Sequence, residues 1–462
     1  MTQKSTILMV VLLVVGLGIG GGIGYFAAPK GAEGEQIIVE VPVEVPIEVH
    51  PLDGETFMLG GLISSDPHFE ACIPMCDLMV ADTNEYLAKL GYDIQLDYML
   101  DSGQGSIAIA LEKAQSYHAM GVDNLFAMSW SGATSGMLSY LNDNDMLMFS
   151  CYTTSPLLSI PDDNLFRLVP NDFQQGPVDA KMVWEYGIDA VVCMWSADAY
   201  GDGLYNVFAK SYVDDWGGVL LEKAQCRRPV GETDYSTYLD VMNTEIEKAI
   251  PIYGKNHVGV FMVSGTLYSM SQVTAYPTLM EIPWFGTDAT GRAYQAYTDA
   301  PTGAIECRVF STMPTPAYSS KMWDVVARYE KACGIAWQFR WLSTYDTGQI
   351  LMKCALDTAS MDAIDIVPIL IDVSSSHFGA VGWCLLDETG DMPAMVYDIW
   401  GYAQNPEVAE ECYNVRYGTW SAVGDAITWD IDIGNGDVSI PGNAPKVNTT
   451  RGDPPVYEGN FP

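Results

Sequence analysis

The stretch "MSWSGATSG", Met128 to Gly136, sets three serines, a threonine and two glycines directly behind an apolar run. A serine nucleophile on a strand-to-helix elbow needs G-x-S-x-G, with His and Asp partners later in the chain. Neither Ser129 nor Ser131 has glycines at those offsets, and no motif places His257 or His377 beside them. A phosphate-cradling loop needs Lys after its last glycine, and Met137 stands there. What remains is a polar turn whose hydroxyls and free helix amides suit a carboxylate. Capping by Ser131 or Ser135 accounts for the same residues, and on this turn alone capping comes first.

A second polar strand end changes the balance. "MLMFSCYTTSPLL" ends an apolar run with Tyr152, Thr153 and Thr154. Open α/β sheets collect ligands outside the carboxyl ends of their strands. Further along, "WSADAYGDG" and "WFGTDATGR" place Tyr200 and Asp288 at comparable positions. Hydroxyls and amides can satisfy a carboxylate, and one buried acid can balance an ammonium, so the set suits a zwitterion. Trp130 reads equally as a wall against a ligand side chain and as core.

These turns need a sheet to carry them. From Thr56 onward, short apolar runs alternate with amphipathic stretches. "TFMLGGLI" is predicted a strand, "CIPMCDLMVADTNEYLAKLG" a helix closed by Gly91, and "YDIQLDYML" a strand. "SIAIALEKAQSYHAMG" (helix), "NLFAMSW" (strand), "GMLSYLNDN" (helix) and "MLMFSC" (strand) follow. The pattern restarts after Pro177 with helix "VDAKMVWEYG", strand "DAVVCMW" and helix "GLYNVFAKSYVDDWG", then strands "HVGVFMV" and "IPWFGT". Such alternation predicts parallel sheets flanked by helices, in two α/β lobes with a cleft between them.

The rest of the chain bounds the setting. Its 462 residues carry 59 acidic against 22 basic side chains, a net charge of −37, which excludes a phosphate-backbone partner on electrostatic grounds. Ile7 to Phe26 is uncharged and just long enough to span a hydrocarbon core of roughly 30 Å. Residues 1–29 are therefore read as a membrane anchor with a cytosolic N-terminus, the alternative being a cleaved signal peptide. Gly16, Gly18 and Gly21 match G-x-G-x-x-G only inside this apolar run, so no nucleotide site is assigned there. Residues 30–55 form a Val/Glu/Pro stalk, because Pro42 and Pro46 remove the donors a central strand needs. Residues 435–462 read as a Pro/Gly-rich tail with a possible glycosylation acceptor at Asn448. Ten cysteines on an exterior chain leave room for disulfides, although Cys72 and Cys76 sit four apart on a predicted helix, a poor pairing geometry. Nothing in the sequence calls for a metal or a cofactor, and no nucleophile–base pair marks an enzyme.

At this point the residues carry a resemblance. "WSGATSG…MLMFSCYTTSPLLSIPDDNLFRLVPNDFQQGP…DAYGDG…FGTDATGR" resembles the type I periplasmic binding proteins, most of all the Leu/Ile/Val-type receptors of ABC importers. "STMPTP", "YDTGQILMKCAL" and "HFGAVGWCLLDETGDMPAMVYDIWGY" continue the pattern, so the resemblance runs from about Thr56 to Tyr402. It implies two Rossmann-like lobes joined by a hinge of three crossovers. Lobe 1 would take residues 56–171 and 315–395, lobe 2 residues 172–314 and 396–434.

Carried over residue by residue, Ser131, Tyr152 and Thr154 would hold a ligand carboxylate, and Thr153 joins them in the candidate site. Tyr200 would close over it, and Asp288 would pair with the ammonium, on a shorter arm than the family's Glu. Phe69 falls near the family's aromatic wall, but "SSDPHFEAC" departs from the usual Gly-Pro pattern. Gly265 and Thr266 fit the remaining lobe-2 wall only loosely, and Asp172 reads equally as a hinge hydrogen-bonder. The implied function is an extracytoplasmic solute-binding protein taking an amino acid, branched-chain or otherwise hydrophobic, or a small amide, with an ABC permease as partner. A ligand-sensing or surface-structural protein on the same fold is the alternative.

Overall fold

The computed structural model describes residues 50–429 apart from 264–267, 293–299, 394–395 and 405–411. The anchor, the stalk up to residue 49, Gly265, Thr266 and the C-terminal tail lie outside the described residues. Among the described residues, no helix is long and apolar enough to cross a membrane.

Strand β1 (Thr56–Ile63) is apolar on both faces, as a central strand of a parallel sheet must be. It pairs in parallel with β2 (Gln95–Ser102) and β3 (Asn124–Met128). Parallel neighbours need crossover helices, supplied by α1 (Phe69–Leu90), α2 (Ile107–Ala119) and α3 (Ser131–Asp143). Gly91 closes α1 at φ 88°, where a side chain would be strained, and Ser106 Oγ accepts from Ile109 N at 3.4 Å to open α2. With β4 (Leu147–Ser150), β5 (Leu165–Pro170) and the short β12 (Asp391–Met392), the first sheet has the order β12-β5-β4-β3-β1-β2.

The second sheet is built the same way and then extended. Strands β6 (Ala190–Ser196), β9 (Val258–Val263), β10 (Trp284–Gly286) and β11 (Phe310–Pro314) run parallel, with β7 (Val219–Leu220) and β8 (Cys226–Arg228) beside β6. Strands β13 (Val396–Gln404), β14 (Cys412–Ser421) and β15 (Ala426–Trp429) add an antiparallel edge against β11. Helices α4 (Asp172–Tyr186), α5 (Ala199–Asp214) and α6 (Ser236–Tyr253) belong to this half. Helices α7 (Ser320–Cys333) and α8 (Phe339–Thr358) return to the first sheet, where Met322, Tyr329, Leu342 and Leu351 join Cys72, Met75 and Met79 of α1 in one core. Each such side chain contributes roughly 1.5–3 kcal/mol when fully buried. The chain passes between the sheets three times: after β5, after β11 and after β12.

Three expectations are corrected. Helix α3 begins at Ser131, so "SGATSG" is helix, and the turn is only Ser129–Trp130. Helix α4 begins at Asp172 and carries Pro177 inside it, because the Asn171 side chain accepts from Phe173 N at 3.0 Å and starts the helix early. Cys72, Cys76, Cys151, Cys193, Cys226, Cys307, Cys333, Cys354 and Cys384 are free thiols. Cys72 and Cys76 lie on one face of α1 with Sγ atoms 3.5 Å apart, packed as core.

A candidate ligand-binding site between the sheets

The carboxyl ends of β3 and β4 are stitched together by their own hydroxyls. Ser150 Oγ accepts the amides of Tyr152 and Thr153 at 3.3 and 3.0 Å. Thr153 Oγ1 donates to Ser129 O at 2.9 Å and lies 2.8 Å from Thr134 Oγ1. Ser131 Oγ accepts from the amides of Thr154 and Ser155, each at 3.2 Å. Thr154 Oγ1 donates to Asp172 Oδ2 at 3.1 Å, and Asp172 N donates back to Thr154 O at 2.8 Å. Ser155 Oγ reaches Ala199 O of α5 at 2.6 Å, so these strand ends are tied to the second half of the molecule.

Three donors at this turn stay unspent. Ser131 donates no hydrogen bond among the described residues, while Ser129 Oγ and Trp130 Nε1 are buried with no partner. Buried polar atoms are almost always satisfied in a finished structure, so such a cluster is a place for an incoming acceptor. Helix α3 adds its own N-terminal amides. Gly132 is required here: a Cβ would fall 2.6 Å from Trp130 Nε1 and 3.1 Å from Asp198 Oδ2 of the opposite half.

Facing this turn is an acidic group. Asp198 accepts from Gly201 N at 2.9 Å and caps α5, which sets Tyr200 in the first turn. Tyr200 OH lies 2.6 Å from Thr287 Oγ1 and donates to Asp288 Oδ1 at 3.0 Å. Gln175, with its oxygen accepting from Asp288 N at 2.8 Å, places its amide nitrogen 3.3 Å from both Asp288 and Asp172. Burial raises the Asp288 carboxyl above the usual range, against the pull of Arg340 and the Tyr200 hydrogen bond. Asp172 is raised by burial and then by the Asp288 charge, and Asp179, which accepts from Thr312 at 2.6 Å, is raised by burial too. Two neighbouring carboxyls out of water cannot both stay ionised without a cation.

The sequence reading missed that cation. Arg340, in the first turn of α8, lies over the Tyr152 ring at 4.5 Å and the Trp341 ring at 5.6 Å. The His68 ring stands 6.3 Å from Tyr152 and 6.2 Å from Trp341, and burial plus the Arg340 charge push its pKa down to about 4. The residue that reaches Tyr152 from this segment is thus His68, whereas Phe69 packs on the core of the first sheet. On the other side, Arg292 stacks on Trp337 and Trp400 at 4.7 and 4.8 Å, and its carbonyl accepts from Gln338 at 3.1 Å. Of the expected residues, the structure brings Trp130, Ser131, Tyr152, Thr153 and Thr154 to one turn and Tyr200 and Asp288 to the opposite group. The available signal for Arg340 was an Arg-Trp pair opening a helix in a chain poor in bases.

Comparison with known proteins bears on the fold that carries these residues. Residues 79–224 match the family model described as a receptor family ligand binding region. Over 250 residues the chain is 23% identical to an uncharacterized protein of Methanocaldococcus jannaschii, a match covering 52% of this chain and only 57% of that protein. A leucine binding protein from Thermotoga maritima superposes with a TM-score of 0.62 at 16% identity, over 79% of this chain and 99% of that one. A substrate-binding protein from Desulfitobacterium hafniense in complex with Leu gives 0.60 at 16% identity, over 78% and 100%. A solute binding protein from R. palustris in complex with 4-hydroxybenzoate gives 0.63 at 14% identity, over 79% and 97%. This chain therefore has the two-lobed α/β fold of the type I periplasmic binding proteins, and residues 79–224 match the receptor family ligand binding region.

Proposed function

We propose that the protein is an extracytoplasmic solute-binding protein that captures an α-amino acid or a related small amide between its lobes and presents it to an ABC permease. The observation that carries this reading is the pairing of opposites across the strand ends. Unspent donors at Ser129, Trp130 and Ser131 lie at one set of strand ends, and an acid group, Asp288 and Tyr200, with no ion pair among the described residues, lies at the other. An α-carboxylate completes the first set and an α-ammonium the second, so closure buries both charges with partners. Thr153 and Thr154 act as positioning residues that hold the turn, and Tyr152 forms a wall. The lobes divide at residues 171/172, 314/315 and 395/396, with residues 1–29 as the anchor. Similar folds crystallised with Leu and with 4-hydroxybenzoate support a small carboxylate-bearing ligand.

A thermal-shift screen of amino acids and amides on the full-length chain tests the reading. The expected result is stabilisation by one class of α-amino acid, lost in Asp288→Asn. An amino acid that binds Asp288→Asn as well as the parent removes the ammonium role. Failure of the loaded protein to stimulate the permease ATPase removes the transport role.

A further inference from the structure

Arg340 is the charged side chain at this site that the reading above leaves without a task. Its guanidinium makes no hydrogen bond or ion pair with any described residue, in a chain with 59 acidic side chains. It also sits in the first turn of the 20-residue helix α8, where the helix dipole disfavours a cation and favours an anion. The guanidinium carbon lies over the Tyr152 ring at 4.5 Å and the Trp341 ring at 5.6 Å, and its N–H groups stay available to a planar acceptor. Asp288 feels the Arg340 charge but forms no ion pair with it.

We propose that Arg340 is a specificity residue that takes a second carboxylate, so that the ligand is an acidic α-amino acid. The assignment rests on the amino-acid reading of the site. The α-carboxylate and α-ammonium occupy the Ser131 turn and Asp288. The side-chain carboxylate meets the Arg340 edge in a bidentate pair, its methylenes lying against Tyr152 and Trp341. An apolar side chain in the same place would seal a guanidinium away from water with no partner, which selects against leucine-like ligands. His68, held neutral, adds no competing cation beside Arg340.

Isothermal titration of the full-length chain with L-glutamate, L-aspartate, their isosteric amides and L-leucine tests this. The acid should bind at least about 30-fold more tightly than its amide, the discrimination of one charge-assisted pair. In Arg340→Gln that preference should collapse to near unity while amide affinity holds. Circular dichroism melts control for folding, since the Arg340 guanidinium holds no described residue by a hydrogen bond or ion pair. Glutamate and glutamine binding the parent equally overturns the proposal, as does an equal loss for both in Arg340→Gln, which marks Arg340 as a counter-ion to Asp288. Leucine binding that depends on Asp288 but not on Arg340 overturns it and leaves the amino-acid reading intact. Failure of every amino acid to bind overturns both.

Discussion

Two arginines of the first lobe make opposite use of the same side chain. Arg167 on β5 is fully buried, forms an ion pair with Asp391 of β12 through two of its nitrogens and donates through Nη1 to Ser155 O at 2.6 Å. Asn171 and Ser159 complete the Asp391 carboxylate. Among the described residues Arg340 has no such hydrogen bond or ion pair, and its guanidinium lies over the rings of Tyr152 and Trp341. A guanidinium bound through all three of its nitrogens holds the fold, tying the return strand β12 to β5 where the chain leaves the lobe. A guanidinium that bonds no described residue has N–H groups to offer a ligand. The same division separates the hydroxyls: Thr153 and Thr154 are spent on neighbours, while Ser129 and Ser131 keep a donor.

The largest effect should separate the arginines by stability. Arg167→Met leaves Asp391 buried and unpaired, and should cost about 3–5 kcal/mol in urea denaturation. Arg340→Gln should stay within about 1 kcal/mol of the parent. Comparable losses in the two variants would break the comparison. The hydroxyls come next. Ser131→Ala removes the acceptor for two amides and should destabilise by about 1–3 kcal/mol while also weakening ligand binding. Thr153→Val, which loses the bonds to Ser129 O and Thr134, should destabilise by about 1–2 kcal/mol with no change in the ligand class bound.

Smaller effects should follow pH. His68 titrates at about 4 when folded against 6.5 when free, so between those values the unfolded chain binds more protons. The stability it contributes is complete above pH 6.5 and is lost as pH falls towards 4. His68→Gln should flatten that stretch of the pH–stability curve. The raised carboxyls of Asp172 and Asp288 have the opposite sense: burial favours their protonated forms, and an ammonium that pairs with them displaces that proton. Amino-acid affinity should therefore rise with pH above the usual carboxylate range, by at most about tenfold per unit per proton released. Titrations in buffers of different ionisation enthalpy would show the proton leaving, and a pH-independent affinity would show that the pair is already ionised.

Local patterns carried much of this architecture into view before any coordinates. β1 has the expected span, because an apolar run bounded by turns leaves little choice of length, and Gly91 stops α1 where a left-handed residue is needed. The start of α3 was hidden because Ser, Gly and Thr are weak helix formers, and their helical state depends on packing against the second half of the molecule. Thr153 and Thr154 looked like ligand donors because residue type shows a hydroxyl but not whether it is spent. Their partners lie 18 to 24 residues away or at another strand end. Arg340 was invisible for the complementary reason: its meaning lies in the absence of a carboxylate at its side, which only the folded arrangement reveals.

The central claim is that Asp288 recognises a ligand ammonium opposite the Ser131 turn. Its most direct measurement is a binding cycle pairing an α-amino acid with its deaminated analogue, on the parent chain and on Asp288→Asn. The account predicts that removing the amine costs about 100-fold in the parent, as for a buried charge pair that loses one member, and almost nothing in the variant. Equal binding of amine and deaminated ligand by the parent chain would contradict it.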